Sequence, residues 1–380
     1  MKKLDLSGIP AIDNHCHPFP YGREAKDFER ALCIGLYPVE SEDMRHTILY
    51  HMMTNELKRF FKMDAGASQE EVVKQRNKAR SMNTYVQDLI KDAGLEALLV
   101  DFGYPITRKT LTSQEISDFY KEVGDTKVYG INRIEWVAEK ILAEEPSFDE
   151  FTRRLKEDTV AMIKNENLVA VKSVIAYLTG LKVEVLSEEE FRSGYYAYLA
   201  DPQDIVAEKK VRDYTFLKGC EICREQDVPL QIHTGLGDSP DCNMLQCNPL
   251  LLFDAINSSY CQGTKIVLIH ASYPYLEELG ILLNHYTNIY ADVSSMIPYA
   301  SFAADDKLLK LFEMAPLNKI FYGSDGAGVP EHMWLAARFV RKSLARALET
   351  LMDRGYITEE YAMKAARNIL CDNLRRVYKI

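Results

Sequence analysis

The chain has 380 residues, 47% of them hydrophobic, and a formal charge of −10. That apolar share supports a large core and excludes intrinsic disorder and collagen-like structure. The acidic balance argues against a nucleic-acid face, and no apolar run approaches the roughly 18–20 residues of a membrane span.

In chain order, eight short apolar runs rich in β-branched residues read as buried parallel strands. They are 9–13, leading to His15 and His17; 95–102; 127–134; 168–177; 229–233; 265–270; 288–293; and 319–322, leading into Gly323-Ser-Asp325. Helical patterns lie between them. Ser68 with Glu71, Ser147 with Glu150 and Ser187 with Glu190 fit capping boxes, and Gly94 and Gly124 fit helix C-caps. Residues 358–378 carry one apolar helical face.

This alternation predicts an α/β fold, a (β/α)8 TIM barrel, with residues 1–380 as one domain. A doubly wound open sheet is the rival. No G-x-G-x-x-G or G-x-x-x-x-G-K motif supports its commonest nucleotide-binding uses. The spacing is uneven. Residues 19–93 predict a helical cap inserted after strand one, with helices over 41–61 and 68–93. Residues 179–212 predict a smaller insertion after strand four. The first residues lack the apolar stretch of a secretory signal, and the eight cysteines read as free thiols, so the expected location is cytoplasmic. Cys220 and Cys223 read as buried helix residues, and Cys242 and Cys247 as part of the loop after strand five.

The polar residues at the strand ends carry the chemistry. Strand one gives His15-Cys-His17, strand four Lys172, strand five His233, strand six His270 and strand eight Asp325. In a parallel barrel these ends converge on one rim. His-x-His places both imidazoles on one face of a strand, and imidazoles completed by a carboxylate are the usual donors for zinc and related divalent ions. His15, His17, Lys172, His233, His270 and Asp325 are therefore the expected metal ligands. Lys172 has two readings. As a cation it pairs with Asp325 or a substrate carboxylate; as a buried, neutral amine it adds carbon dioxide to form a carbamate that bridges two ions. Near the rim, Arg133 is either a clamp for a substrate carboxylate or the partner of Glu135 or another acid. Tyr177 and His332 are further candidates for substrate contact.

His-x-His, Lys, His, His and Asp on strands one, four, five, six and eight resemble the amidohydrolase superfamily. Lys172-Ser-Val-Ile-Ala-Tyr-Leu-Thr-Gly-Leu181, Gly323-Ser-Asp325 and Asn373-Leu-Arg-Arg-Val-Tyr378 resemble its branch of nodulin-like modules, some of which are fused to glutamine synthetase. The resemblance implies metal-assisted hydrolysis with zinc, one or two ions, as the expected metal. It assigns His15, His17 and Lys172 with Asp325 to the more buried ion, and Lys172 as carbamate, His233 and His270 to the other. Asp325 becomes the proton acceptor, and with a single ion His270 is free to orient substrate or shuttle a proton. The expected reaction cleaves a C–N bond in a small polar substrate. A decarboxylase or uronate-type isomerase with one ion is the first alternative, and a non-catalytic metal-binding barrel the second. No nucleic-acid or membrane partner is expected, and a homodimer is the default assembly.

Overall fold

The computed structural model describes residues 3–19, 28–35, 40–82, 84–103, 111–238 and 240–380. Eight strands form one parallel sheet in sequence order, each paired to the next. They are β1 Ala11–Cys16, β2 Leu95–Asp101, β3 Lys127–Arg133, β4 Leu168–Ser173, β5 Leu230–His233, β6 Ile266–Ile269, β7 Ile289–Asp292 and β8 Ile320–Phe321. The ring is completed just past the short β8. There Asn14 N–H donates to the Tyr322 carbonyl (3.0 Å), Asp325 N–H to that of His15 (2.7 Å) and His17 N–H to that of Gly326 (2.8 Å). The fold is a (β/α)8 TIM barrel.

Two apolar clusters follow from the strand alternation. Ile12, Leu99, Ile131, Ala170, Val267, Ile269 and Phe321 fill the interior, while their neighbours Leu98, Val171, Leu268 and Tyr322 pack outward against the helices. Helix Asn373–Tyr378 adds Leu374, Val377 and Tyr378 to the interior cluster. It lies across the N-terminal ends of the strands: Asn373 binds the Ile320 carbonyl, and Arg375 pairs with Glu96. It thus floors the barrel opposite the rim.

Several boundaries differ from the sequence reading for local reasons. β4 stops at Ser173, because Glu135 accepts hydrogen bonds from the Ser173 hydroxyl (2.6 Å) and the Val174 N–H (3.0 Å). Tyr177 therefore lies on the helical turn Ile175–Leu178 rather than on the strand. The helix expected over 41–61 divides into Ser41–Arg45 and Ile48–Phe60, the second begun by Thr47, whose hydroxyl caps Tyr50 N–H. The stretch 68–93 divides into Gln69–Arg80 and Tyr85–Asp92. Helix Ile205–Gln226, capped by Asp204, starts inside the stretch read as the second insertion and runs past its end. Ser68–Glu71 and Ser187–Glu190 form full capping boxes. Ser147 caps Glu150 N–H, and Thr112–Glu115 is a further box.

The inserted helices are tied to the barrel by buried ion pairs. Arg76 Nε is 2.5 Å from Glu331, which also accepts from the Tyr85 hydroxyl, and Arg80 pairs with Glu122 at 3.0 Å. Glu331 opens helix Pro330–Asp353, which leaves the rim after β8.

Candidate metal centre

The seam between β1 and β8 builds the centre. Its backbone bonds bring Asp325 beside both histidines of β1: Asp325 Oδ1 is 3.1 Å from His17 Nε2 and 3.6 Å from His15 Nε2. The ligand-capable atoms of His15, His17 and Asp325 all lie within 4.8 Å of one another. Strand β1 needs an irregularity to achieve this. Its pairing with β2 shifts between Asp13 and Cys16, so Ile12 and the two histidines all face inward, while Cys16 joins the outer cluster. Asp325 and Ser295 beside it hold left-handed backbone (φ 55° and 54°), as do His270, Ala271 and Ser272 in succession (φ 69°, 52° and 48°). Such strain persists only where surrounding bonds over-determine it, and it clusters at functional sites.

The hydrogen-bond partners fix which ring nitrogens carry protons. His17 Nδ1 faces the Asp101 carbonyl at 3.3 Å, an acceptor only, so Nδ1 holds the hydrogen. His15 Nδ1 faces Gln231 Oε1 at 2.8 Å. Both Nε2 atoms then direct lone pairs at the negatively charged Asp325 oxygen. Lys172 Nζ meets the His15 lone pair at 2.9 Å, and the separations of 3.1 and 3.6 Å around Asp325 Oδ1 are also those of neighbouring donors on one ion at about 2.1 Å. The residues fit a divalent metal.

The β5–β6 side is arranged differently. His270 Nδ1 donates to Ser294 Oγ (2.8 Å), whose own hydroxyl donates to Asp292 (2.6 Å), leaving Nε2 as the free lone pair. His233 Nε2 faces the Cys242 thiol at 4.0 Å, and Gly237 passes so close that an added Cβ would lie 2.7 Å from that nitrogen. Nδ1 is the His233 atom left for other partners. The His233 ring lies 4.5 Å from both the Tyr177 and His270 rings.

Electrostatics keep the donors in binding form. Burial, and then the Lys172 charge, hold His15 well below the usual imidazole pKa; burial lowers His233 too, and takes His270 down to about 3. Lys172 Nζ lies 2.9 Å from His15 Nε2 and 3.7 Å from Asp101, and burial lowers its pKa.

Residues 178–380 match the family model described as amidohydrolase. The chain belongs to the amidohydrolase family. This amidohydrolase is 32% identical over 248 residues to Protein fluG of Emericella nidulans, an alignment covering 61% of this chain and 28% of that protein. The chain thus spans less than a third of the length of this curated relative. In structure it resembles a protein of Lactobacillus casei ATCC 334 provisionally described as a metal-dependent hydrolase, with TM-score 0.84, 25% identity and 100% and 98% of the two chains covered. A uronate isomerase of Thermotoga maritima shares the fold, with TM-score 0.71 at 15% identity over 98% and 95% of the chains. Enzymes of this superfamily use divalent metals, and the grouping of His15, His17 and Asp325 accords with that.

The amidohydrolase rim thus brings His15, His17, Lys172 and Asp325 into near contact and sets His270 3.6 Å from Asp325, with His233 beyond it. Arg133 is not paired with Glu135. It grips Asp101 through Nε (2.9 Å) and Nη2 (2.8 Å), while its buried Nη1 has no hydrogen-bond partner among the described residues. The Tyr177 hydroxyl bonds both the N–H (3.0 Å) and the carboxylate (3.3 Å) of Asp238. His332 is buried against the Tyr299 ring, and its Nε2 has no partner among the described residues. Cys220 and Cys223 are buried in their helix, and Cys220 faces the Cys261 thiol. Cys242 and Cys247 are buried 3.3 Å apart beside His233. Asp101, Gln231, Asp238 and Asp292 escaped the sequence reading. Asp101 and Asp292 close apolar runs just as Asp325 follows one, and Gln231 interrupts the apolar run Pro-Leu-Gln-Ile-His.

Among the described residues, no helix is long and apolar enough to cross a membrane.

Proposed function

We propose that this protein is a zinc-dependent hydrolase that cleaves a C–N bond in a small, polar substrate. The observation that carries the reading is the placement of Asp325 against two imidazoles whose lone pairs face it. A divalent ion held by His15, His17 and Asp325, with His233, His270 and Lys172 completing the set, would supply Lewis acidity and lower the pKa of water from 15.7 toward about 7. Asp325 as the carboxylate takes the proton of the attacking water and passes it to the leaving nitrogen as the C–O bond forms and the C–N bond breaks. Ser295 Oγ donates to Asp325 Oδ2 at 2.5 Å and orients the carboxylate for both transfers. The unpartnered Nη1 of Arg133 is a buried donor suited to a substrate carboxylate.

One observation favours a second reading. Lys172 as an ammonium donates to His15 and sits near Asp101, which suits one ion rather than a carbamate bridge, and with it the decarboxylase or isomerase alternative. Metal content by elemental mass analysis, on protein grown with zinc and bicarbonate, separates the two. Two ions per chain, fewer in Lys172→Ala, together with amine release from an amide panel, support the hydrolase. One ion in both proteins, no amine, and carbon dioxide or a ketose as product overturn it.

A further inference from the structure

The floor of the barrel reaches the metal centre through two side chains. Gln231, fully buried in β5, faces the interior between the apolar cluster below and the rim above. Its amide nitrogen donates to the Asn14 carbonyl and to the Tyr378 hydroxyl, both at 2.9 Å. A backbone carbonyl can only accept, so the Asn14 contact fixes which end of the amide is nitrogen. Oε1 must then be the atom 2.8 Å from His15 Nδ1. An amide oxygen can only accept, so Nδ1 must carry the hydrogen and Nε2 the lone pair.

We propose that Gln231, braced from below by Tyr378, is a positioning residue that holds His15 in the one tautomer able to bind a metal through Nε2. The proposal rests on the reading of His15 as a ligand. It makes helix Asn373–Tyr378 part of the centre, although it lies at the opposite end of the barrel. Tyr378 contributes in two ways: its ring packs in the interior cluster, and its hydroxyl closes the side of the amide that Asn14 alone would leave half-bonded. A second ring-nitrogen partner of this kind is what orients ligating histidines generally, and its loss weakens metal binding by roughly 10–100-fold.

The test uses two readouts on the full chain. The first is histidine tautomer by two-bond ¹H–¹⁵N correlation on metal-free protein labelled at histidine, with His15 assigned from the signal lost in His15→Asn. The second is Zn²⁺ affinity by competition with a chelating dye. Wild type is expected to show Nδ1–H at His15. Gln231→Met, similar in size but a poor acceptor, should show a mixture of tautomers and bind Zn²⁺ about 10–100-fold more weakly. Gln231→Glu keeps an acceptor and should restore both readouts; Tyr378→Phe should fall between. A wild-type His15 with Nε2–H, or a Gln231→Met protein with unchanged affinity, overturns the proposal. The wild-type spectrum decides it alone if Gln231→Met does not fold. Nδ1–H at His15 in a protein that binds no Zn²⁺ would uphold the positioning and overturn the metal reading. Tight Zn²⁺ binding with the wrong tautomer would do the reverse.

Discussion

The two sides of the centre are held by different means. On the β1–β8 side, every donor is set by a hydrogen bond to a strand or to a buried polar residue, and the ring-closing backbone bonds themselves fix the spacing of His15, His17 and Asp325. On the β5–β6 side, His270 has a comparable brace in Ser294–Asp292, but His233 is positioned by ring packing and a thiol, on a loop that runs through Gly235, Gly237 and Cys242. The first side has a preformed geometry that suits one divalent ion. The second depends on a loop, and loops open at lower free energy than strands do.

This contrast is most easily broken at Asp325, to which the proposed function gives both binding and proton transfer. Asp325→Asn should lower kcat by about 10²–10⁴-fold, measured on protein whose metal content is matched to wild type. The next effect sharpens the comparison. His17→Asn should strip the tightly held ion, whereas His233→Asn should leave about one ion per chain; elemental analysis after dialysis against a mild chelator reads both. Equal losses in the two variants would erase the asymmetry. Arg133→Lys keeps the charge but loses the fork on Asp101, and should raise KM by roughly tenfold with a smaller change in kcat.

Most of the rim was legible because a parallel barrel turns a one-dimensional list of strand ends into a ring. His15, His17, His233, His270 and Asp325 close or follow apolar runs and Lys172 interrupts one, and no tertiary knowledge was needed to group them. What brings them into register was not legible. The irregularity in β1, the seam bonds past β8 and the left-handed residues after β6 depend on how the ring closes, and local periodicity carries no trace of them. Asp101 shows the opposite failure. It ends its strand in plain view, but its pairing with Arg133 requires β2 and β3 to be placed side by side. Tyr378 was read as one end of a packed helix and of a family-like motif, since nothing near it in sequence hints at a partner in β5.

The smallest expected effect lies outside the metal centre, at the segment that follows β4. Burial raises the pKa of Asp213, beside Lys209, to about 6. Folded protein therefore binds more protons than unfolded protein between roughly pH 4 and 6, and its stability falls as pH rises through that window. Asp213→Asn keeps an oxygen for the Glu184 N–H and should remove that fall. The melting temperature of the variant should overtake that of the parent as pH rises past 6, with no change in metal content.

The Arg76–Glu331 pair also constrains how the protein can diverge. Removing one partner of a buried pair costs about 3–5 kcal/mol, a large part of the stability of a typical domain, whereas replacing both with apolar residues of similar volume is often neutral. Glu331 immediately precedes His332, so this fully buried pair ties the inserted helices to one wall of the rim, beside the more exposed pairs that Arg338 and Lys342 of the same helix make with Glu56. Substitutions at the two positions should therefore be inherited together. A lineage that exchanges its inserted helices to reach a new substrate must carry a matching change at the head of the helix that follows β8, or pass through an ancestor too unstable to persist.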